Sequence, residues 1–229
     1  MLVAGEDTDG SGPDWLYDEE FFSAEDLELM DYEINELRKN IKPIDISYDY
    51  GVFPGQTMSN HVVAEGAFRW WLGDKLKQSG YINHEFIVGG CNIVTLHKPF
   101  DVHTDYLYRY FWGGEKWLPF MNFIIPTTDT SSQTIVFDQF SDKDTYHFHL
   151  YKEDHEPLEN PISKEWWDTH CSHCWEEDRQ YLTLKNIMPA QKRGMLTGLK
   201  SKFYHCTDHF HLNEEGTKGF IHLRIGVRR

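Results

Sequence analysis

Up to about Gly80 the apolar residues of this chain recur at helical spacing; beyond it they alternate with polar ones or bunch into short runs bounded by glycine, proline and small polar residues. Ser23 and Asp26 form an S-x-x-D start signal, and Leu27, Met30, Ile34 and Leu37 then fall on one face, which predicts a helix through about Lys39. Pro43 to Pro54 reads as connecting chain. A second helix is predicted from about Val62 to Gln78 on Phe68, Trp70, Trp71, Leu72 and Leu76, with Gly80 just past its end. The strand-like runs begin with Phe86 to Val88 and Asn92 to Leu96, parted by a Gly89-Gly90 turn. Tyr106 to Trp112 and Trp117 to Ile125 flank Gly113-Gly114 as a hairpin. Thr134 to Phe137, Thr145 to Tyr151, Tyr181 to Leu184, Lys202 to His205 and Phe220 to Val227 complete the series. Many short strands behind a helical first third predict a mainly β fold, a sandwich or barrel with flanking helices.

Residues 1–22 are acidic and glycine-bearing and predict a flexible lead-in, and 23–229 are expected to form a single domain. That domain carries an acidic, tryptophan-bearing insertion within about 141–200, helical from about Ser163. Trp70, Trp71, Trp166, Trp167 and Trp175 are read as packing residues. With 40% hydrophobic residues and a net charge of −15, the chain has enough apolar material for a core, and its field repels phosphate backbones. Nucleic acid is therefore not an expected partner. No apolar run approaches the roughly 20 residues of a membrane span. Met1 to Trp15 lacks the basic and apolar regions of a signal peptide, so a soluble, cytoplasmic protein is expected.

One tripeptide adds chemistry. In Val102-His103-Thr104-Asp105 a histidine and a carboxylate sit two residues apart, and in extended chain both project from one face. They are either solvated polar chain on a surface strand or two ligands of one metal ion. Two imidazoles and one carboxylate on one side of a metal leave positions open and suit Fe(II) in oxygenases. The third ligand would have to come from a distant strand, and His205, at the end of Lys202 to His205, is the best placed of the 13 histidines. A last strand carrying Lys218 and Arg224 follows it, and either cation could pair with the carboxylate of a cosubstrate.

Three segments together resemble the Fe(II)/2-oxoglutarate-dependent dioxygenase superfamily, closest to small phage and marine bacterial members. They are Thr95 to Tyr106 (TLHKPFDVHTDY), Gln133 to Phe137, and Phe203 to Phe210 followed by Thr217-Lys218. The family pattern of His-x-Asp, about a hundred residues, a distal His and then Arg or Lys about a dozen residues on is matched in order and spacing. The resemblance implies a double-stranded β-helix, the jelly-roll or cupin-like barrel, with His103, Asp105 and His205 binding Fe(II). It implies that Lys218 grips 2-oxoglutarate, with Arg224 as the alternative because many relatives use Arg on the final strand. His222 lies between them on the same alternating face. The implied activity is hydroxylation of an unactivated C–H bond of a small-molecule or peptide substrate, consuming O2 and releasing succinate and CO2. A non-catalytic or zinc-binding jelly-roll protein is the alternative from another class.

Two other patterns stay outside this scheme. His147-Phe148-His149 and His209-Phe210-His211 lack a carboxylate two residues away. Cys171 and Cys174 form a C-x-x-C beside His170 and His173, but no second C-x-x-C exists, so reduced thiols on a helix and a single metal per chain are expected.

Overall fold

The structure, a computed structural model, describes residues 1–47, 56–106, 117–143, 150, 152–208 and 218–228. The Ser23 start signal is realised as a capping box: the Ser23 hydroxyl accepts from the Asp26 N–H and the Asp26 carboxylate from the Ser23 N–H, opening α1 (Ala24–Asn40). The second helix, α2 (Ala67–Gln78), starts later than its apolar pattern suggests. Val62 and Val63 belong instead to a strand, and Gly66, at φ 73°, makes the break between them.

Eleven strands are described: β1 (Leu2–Ala4), β2 (Trp15–Asp18), β3 (Ile44–Ser47), β4 (Thr57–Val63), β5 (Phe86–Leu96), β6 (Trp117–Pro126), β7 (Thr134–Phe140), β8 (Leu184–Ile187), β9 (Leu196–Lys200), β10 (Phe203–Thr207) and β11 (Lys218–Arg228). Eight of them form one antiparallel sheet in the order β1-β2-β9-β6-β11-β5-β4-β3, and β10-β7-β8 form a second. A cavity lined from both sheets lies between them, which is the jelly-roll barrel, a double-stranded β-helix.

Strand β11 shows how the sequence serves both sides of the large sheet. Ile221, Leu223 and Ile225 pack with Phe68, Leu72 and Leu76 of α2 and with Met30 and Ile34 of α1 in the main core. The alternate residues Lys218, Phe220, His222 and Arg224 line the cavity. Burial on both faces explains why this strand is apolar at so many positions and yet carries three ionisable groups on its cavity side.

Several expectations are corrected. Gly89-Gly90 is no turn: β5 runs straight through it, and because Arg224 pairs with Gly90 and Ile225 with Val88, Gly89 is the extra residue of a bulge. The strand expected at Tyr181 to Leu184 begins only at Leu184, Tyr181 closing a 3-10 turn. β9 lies inside the stretch read as insertion, and it is a central strand of the large sheet. The hairpin around Gly113-Gly114 and the run Thr145 to Tyr151 fall largely or wholly outside the described residues. No described helix is long and apolar enough to cross a membrane.

The acidic N-terminus is not a lead-in. β2 pairs with β9, and Leu16 is buried in the main core. The cause is electrostatic as well as apolar: the ammonium of Lys200 lies 2.5 Å from Asp9, 3.0 Å from Asp14 and 3.3 Å from Asp7, with Lys185 3.2 Å from the other Asp14 oxygen. Burial alone would raise the Asp14 carboxyl, but hydrogen bonds from Lys200, Thr8 and Lys185 overcome it and hold it below the usual range. Removing one partner of such a set leaves a charge stranded, at a cost of about 3–5 kcal/mol. Lys200→Met is expected to lower stability by about that amount in urea denaturation, and adding Asp14→Asn to recover part of it.

Candidate metal centre

His103 and His205 are far apart in sequence and directly opposite each other in space. Each donates its backbone N–H to the other's carbonyl at 2.9 Å, an isolated antiparallel bridge beside β10. The Asp105 N–H donates to the Ser201 carbonyl at 3.1 Å, so the short segment after Phe100 runs antiparallel to the β9–β10 chain. This directly opposed pairing puts the two imidazoles on one side, with ring centroids 4.2 Å apart. Asp105, two residues on from His103, follows on the same face.

The donor atoms converge. One ligand atom from each of His103, Asp105 and His205 lies within 4.8 Å of the others, and each residue is about 5% exposed. His103 Nδ1 donates to the Asp101 carbonyl at 2.6 Å and His205 Nδ1 to the Phe203 carbonyl at 3.1 Å. A carbonyl can only accept, so each Nδ1 carries a proton and Nε2 is the ring nitrogen left to face a metal. Backbone bonds that fix the tautomer in this way are a usual support for imidazole ligands. Burial pushes the His103 imidazole down to about 3, which keeps it neutral. Burial alone would raise the Asp105 carboxyl, but His222 and His205, each 3.4 Å from Oδ2, and the Arg224 guanidinium 3.8 Å from Oδ1 hold it well below the usual range. Two imidazoles and one ionised carboxylate are a donor set that fits a divalent metal such as Fe(II).

These residues line one wall of a cavity of about 150 Å³. Lys218 and Arg224 both line it, but they stand differently. Arg224 is at Asp105 itself, whereas the Lys218 ammonium donates to the Ser132 hydroxyl at 2.9 Å, six positions along the same strand. Burial pushes Lys218 down to about 7. A cation disfavoured by its dry surroundings is a natural partner for a bound carboxylate.

Two polar residues at the site have no signal in the sequence: Ser132, which holds Lys218, and His61, which lines the cavity. Ser132 looked like any polar loop residue, and no local pattern distinguishes it. His61 was hidden because its strand falls between the connecting chain read for Pro43 to Pro54 and the helix expected from about Val62; it accepts from or donates to the Ser59 hydroxyl at 2.9 Å, and burial pushes it down to about 4. Of the five tryptophans read as packing, Trp167 is fully buried, while Trp70 and Trp175 are exposed. His147, His149, His209 and His211 lie outside the described residues. The C-x-x-C differs from its expectation: Cys171 caps the end of α3 (Lys164–His170) rather than riding on it, and Cys206 joins Cys171 and Cys174 in a buried cluster.

Neither a protein-family model nor a curated protein matches the sequence. Solved structures do. The non-heme alpha ketoglutarate dependent epimerase SnoN and carbocyclase SnoK, both from nogalamycin biosynthesis, match with a TM-score of 0.55 at 10% and 11% identity. The matches cover 94% and 93% of this chain and 78% and 79% of theirs. HygX from Streptomyces hygroscopicus, with nickel, 2-oxoglutarate and hygromycin B bound, matches with a TM-score of 0.50 at 13% identity over 93% of this chain and 83% of its own. The fold is that of the 2-oxoglutarate-dependent oxygenases. Identity this low carries the fold alone, and the chemistry has to rest on the residues of this barrel.

His61 and His103 are neutral in the folded protein and titrate near 6.5 when unfolded. Between 6.5 and about 4 for His61, and about 3 for His103, the unfolded state binds more protons, so stability falls as pH falls through that window. The metal-free protein is expected to lose melting temperature from pH 7 to pH 5. His61→Leu should flatten that slope, which calorimetry across the range would measure.

Proposed function

We propose that the protein is an Fe(II)- and 2-oxoglutarate-dependent oxygenase acting as one domain, in which His103, Asp105 and His205 hold the metal and Lys218 holds the distal carboxylate of 2-oxoglutarate. The observation that carries this is the convergence of those three ligand atoms within 4.8 Å on the wall of a cavity that also holds a buried ammonium. When bound, metal and cosubstrate supply the oxidation of an unactivated C–H bond by O2, with hydroxylation as the outcome and succinate and CO2 as co-products.

The chain's own residues bind and orient. The two histidines offer Nε2 from tautomers locked by backbone carbonyls, and Asp105 contributes the single negative charge. Arg224 stands beside Asp105, and Lys218 lies farther along the inner face of β11 on the same cavity. A five-carbon dicarboxylate held at the metal by one end needs its second cation away from Asp105, which favours Lys218, with Ser132 as its companion donor. Arg224 is the alternative anchor that residue type alone would choose. Ile46, Met58, Phe100, Ile124 and Phe220 give the remaining wall an apolar character that keeps water out and fits an apolar reacting segment. With a net charge of −15, the chain suits a neutral or cationic small molecule or peptide as substrate.

Anaerobic addition of Fe(II) and 2-oxoglutarate is expected to produce a weak visible charge-transfer band, which a zinc-binding or non-catalytic barrel would not give. Its absence from correctly folded protein would sink the oxygenase assignment. His103→Ala, Asp105→Ala and His205→Ala should each abolish the band and succinate formation while the far-ultraviolet circular dichroism is kept.

A second titration separates the cations. Losing a charge-assisted partner costs about 3 kcal/mol, so Lys218→Ala should raise the 2-oxoglutarate concentration needed for half the band by about 100-fold. Arg224→Ala should raise it less; the opposite ranking would move the anchor to Arg224.

A further inference from the structure

We propose that Cys171, Cys174 and Cys206 bind a zinc ion, distinct from the barrel metal, that ties the end of α3 to β10. The three thiols come from two segments that sequence alone leaves unrelated. Cys171 and Cys174 bracket a tight turn closed by the Cys174 N–H donating to the Cys171 carbonyl at 2.8 Å. Cys206 approaches from β10, and all three sulfurs lie within 4.8 Å of one another. The Cys171 and Cys206 sulfurs are 3.7 Å apart. That is far longer than the roughly 2.05 Å of a disulfide. It is close to the edge of about 3.8 Å that a tetrahedron with zinc–sulfur bonds of about 2.3 Å requires.

The surroundings agree. All three cysteines are buried, in a cluster with Trp167, Tyr204 and Phe137, the kind of dry shell that keeps a structural site closed. A C-x-x-C turn plus one thiol from a neighbouring strand supplies three corners of such a site, and soft thiolates select zinc over the oxygen-loving cations. The fourth cysteine, Cys91, is spent in the main core and takes no part. Binding would release the thiol protons to solvent.

The position has a consequence for the barrel. Cys206 follows His205 on β10, so one strand carries an iron ligand of the proposed oxygenase on one face and a zinc ligand on the other. An ion there would brace β10 from behind. The zinc site itself does not depend on the oxygenase reading.

Elemental analysis of the purified full chain tests it. One zinc per chain is expected, retained in His103→Ala and Asp105→Ala, and lost in Cys206→Ser and in the Cys171→Ser/Cys174→Ser double variant. Cobalt-grown wild-type protein should show thiolate-to-cobalt charge transfer that Cys206→Ser lacks. If the serine variants do not fold, mercurial modification of the wild-type thiols should release one equivalent of zinc. Wild-type protein without zinc, zinc retained in folded Cys206→Ser, zinc lost with His103→Ala, or a disulfide among these cysteines in the native protein would each overturn the proposal.

Discussion

Two reciprocal backbone hydrogen bonds between His103 and His205 are the contact on which the candidate site depends. They form an isolated bridge, flanked by the Asp105 N–H to Ser201 carbonyl and Thr207 N–H to Phe100 carbonyl bonds, and these few contacts set the register of the short segment that carries His103 and Asp105. Strand geometry makes that register decisive. A slip of one residue would turn His103 and Asp105 away from the cavity together. The bridge therefore converts a separation of about a hundred residues into a ring contact of 4.2 Å.

The register needs a stiff backing, and the two sheets provide it. β10 pairs with β7 across the small sheet and reaches the thiol cluster through Cys206. β11 lies between β5 and β6 in the large sheet, with α1 and α2 packed behind its odd-numbered side chains. Its even-numbered side chains bring Lys218, His222 and Arg224 into the cavity, where desolvation would be costly without carboxylate or hydroxyl partners. Asp105 takes His222 and Arg224, and Ser132 takes Lys218.

Net charge describes this protein poorly compared with the placement of its charges. Asp7, Asp9 and Asp14 surround Lys200, converting an acidic segment into an ordered edge of the large sheet. Gly198 helps on the apolar side: a Cβ there would stand 2.9 Å from Phe123 and 3.0 Å from Leu16, the side chains opposite it on β6 and β2, so glycine leaves both room to pack.

The sequence by itself determined the local devices: the capping box at Ser23, the apolar stripes of α1 and α2, the strand character after Gly80, and the facing of His103 with Asp105. Each depends on residues within a few positions of one another, where periodicity and side-chain chemistry decide the outcome. The resemblance to the oxygenases added the barrel and a choice of distal histidine. Only the tertiary structure decided what depends on pairing between distant segments. It set Gly89 as a bulge, ordered the N-terminus around Lys200, placed Arg224 at Asp105 and Lys218 at Ser132, and brought Cys206 to the C-x-x-C. Register, desolvation and charge pairing between remote segments leave no local pattern, because their energies arise only when the chain has closed on itself.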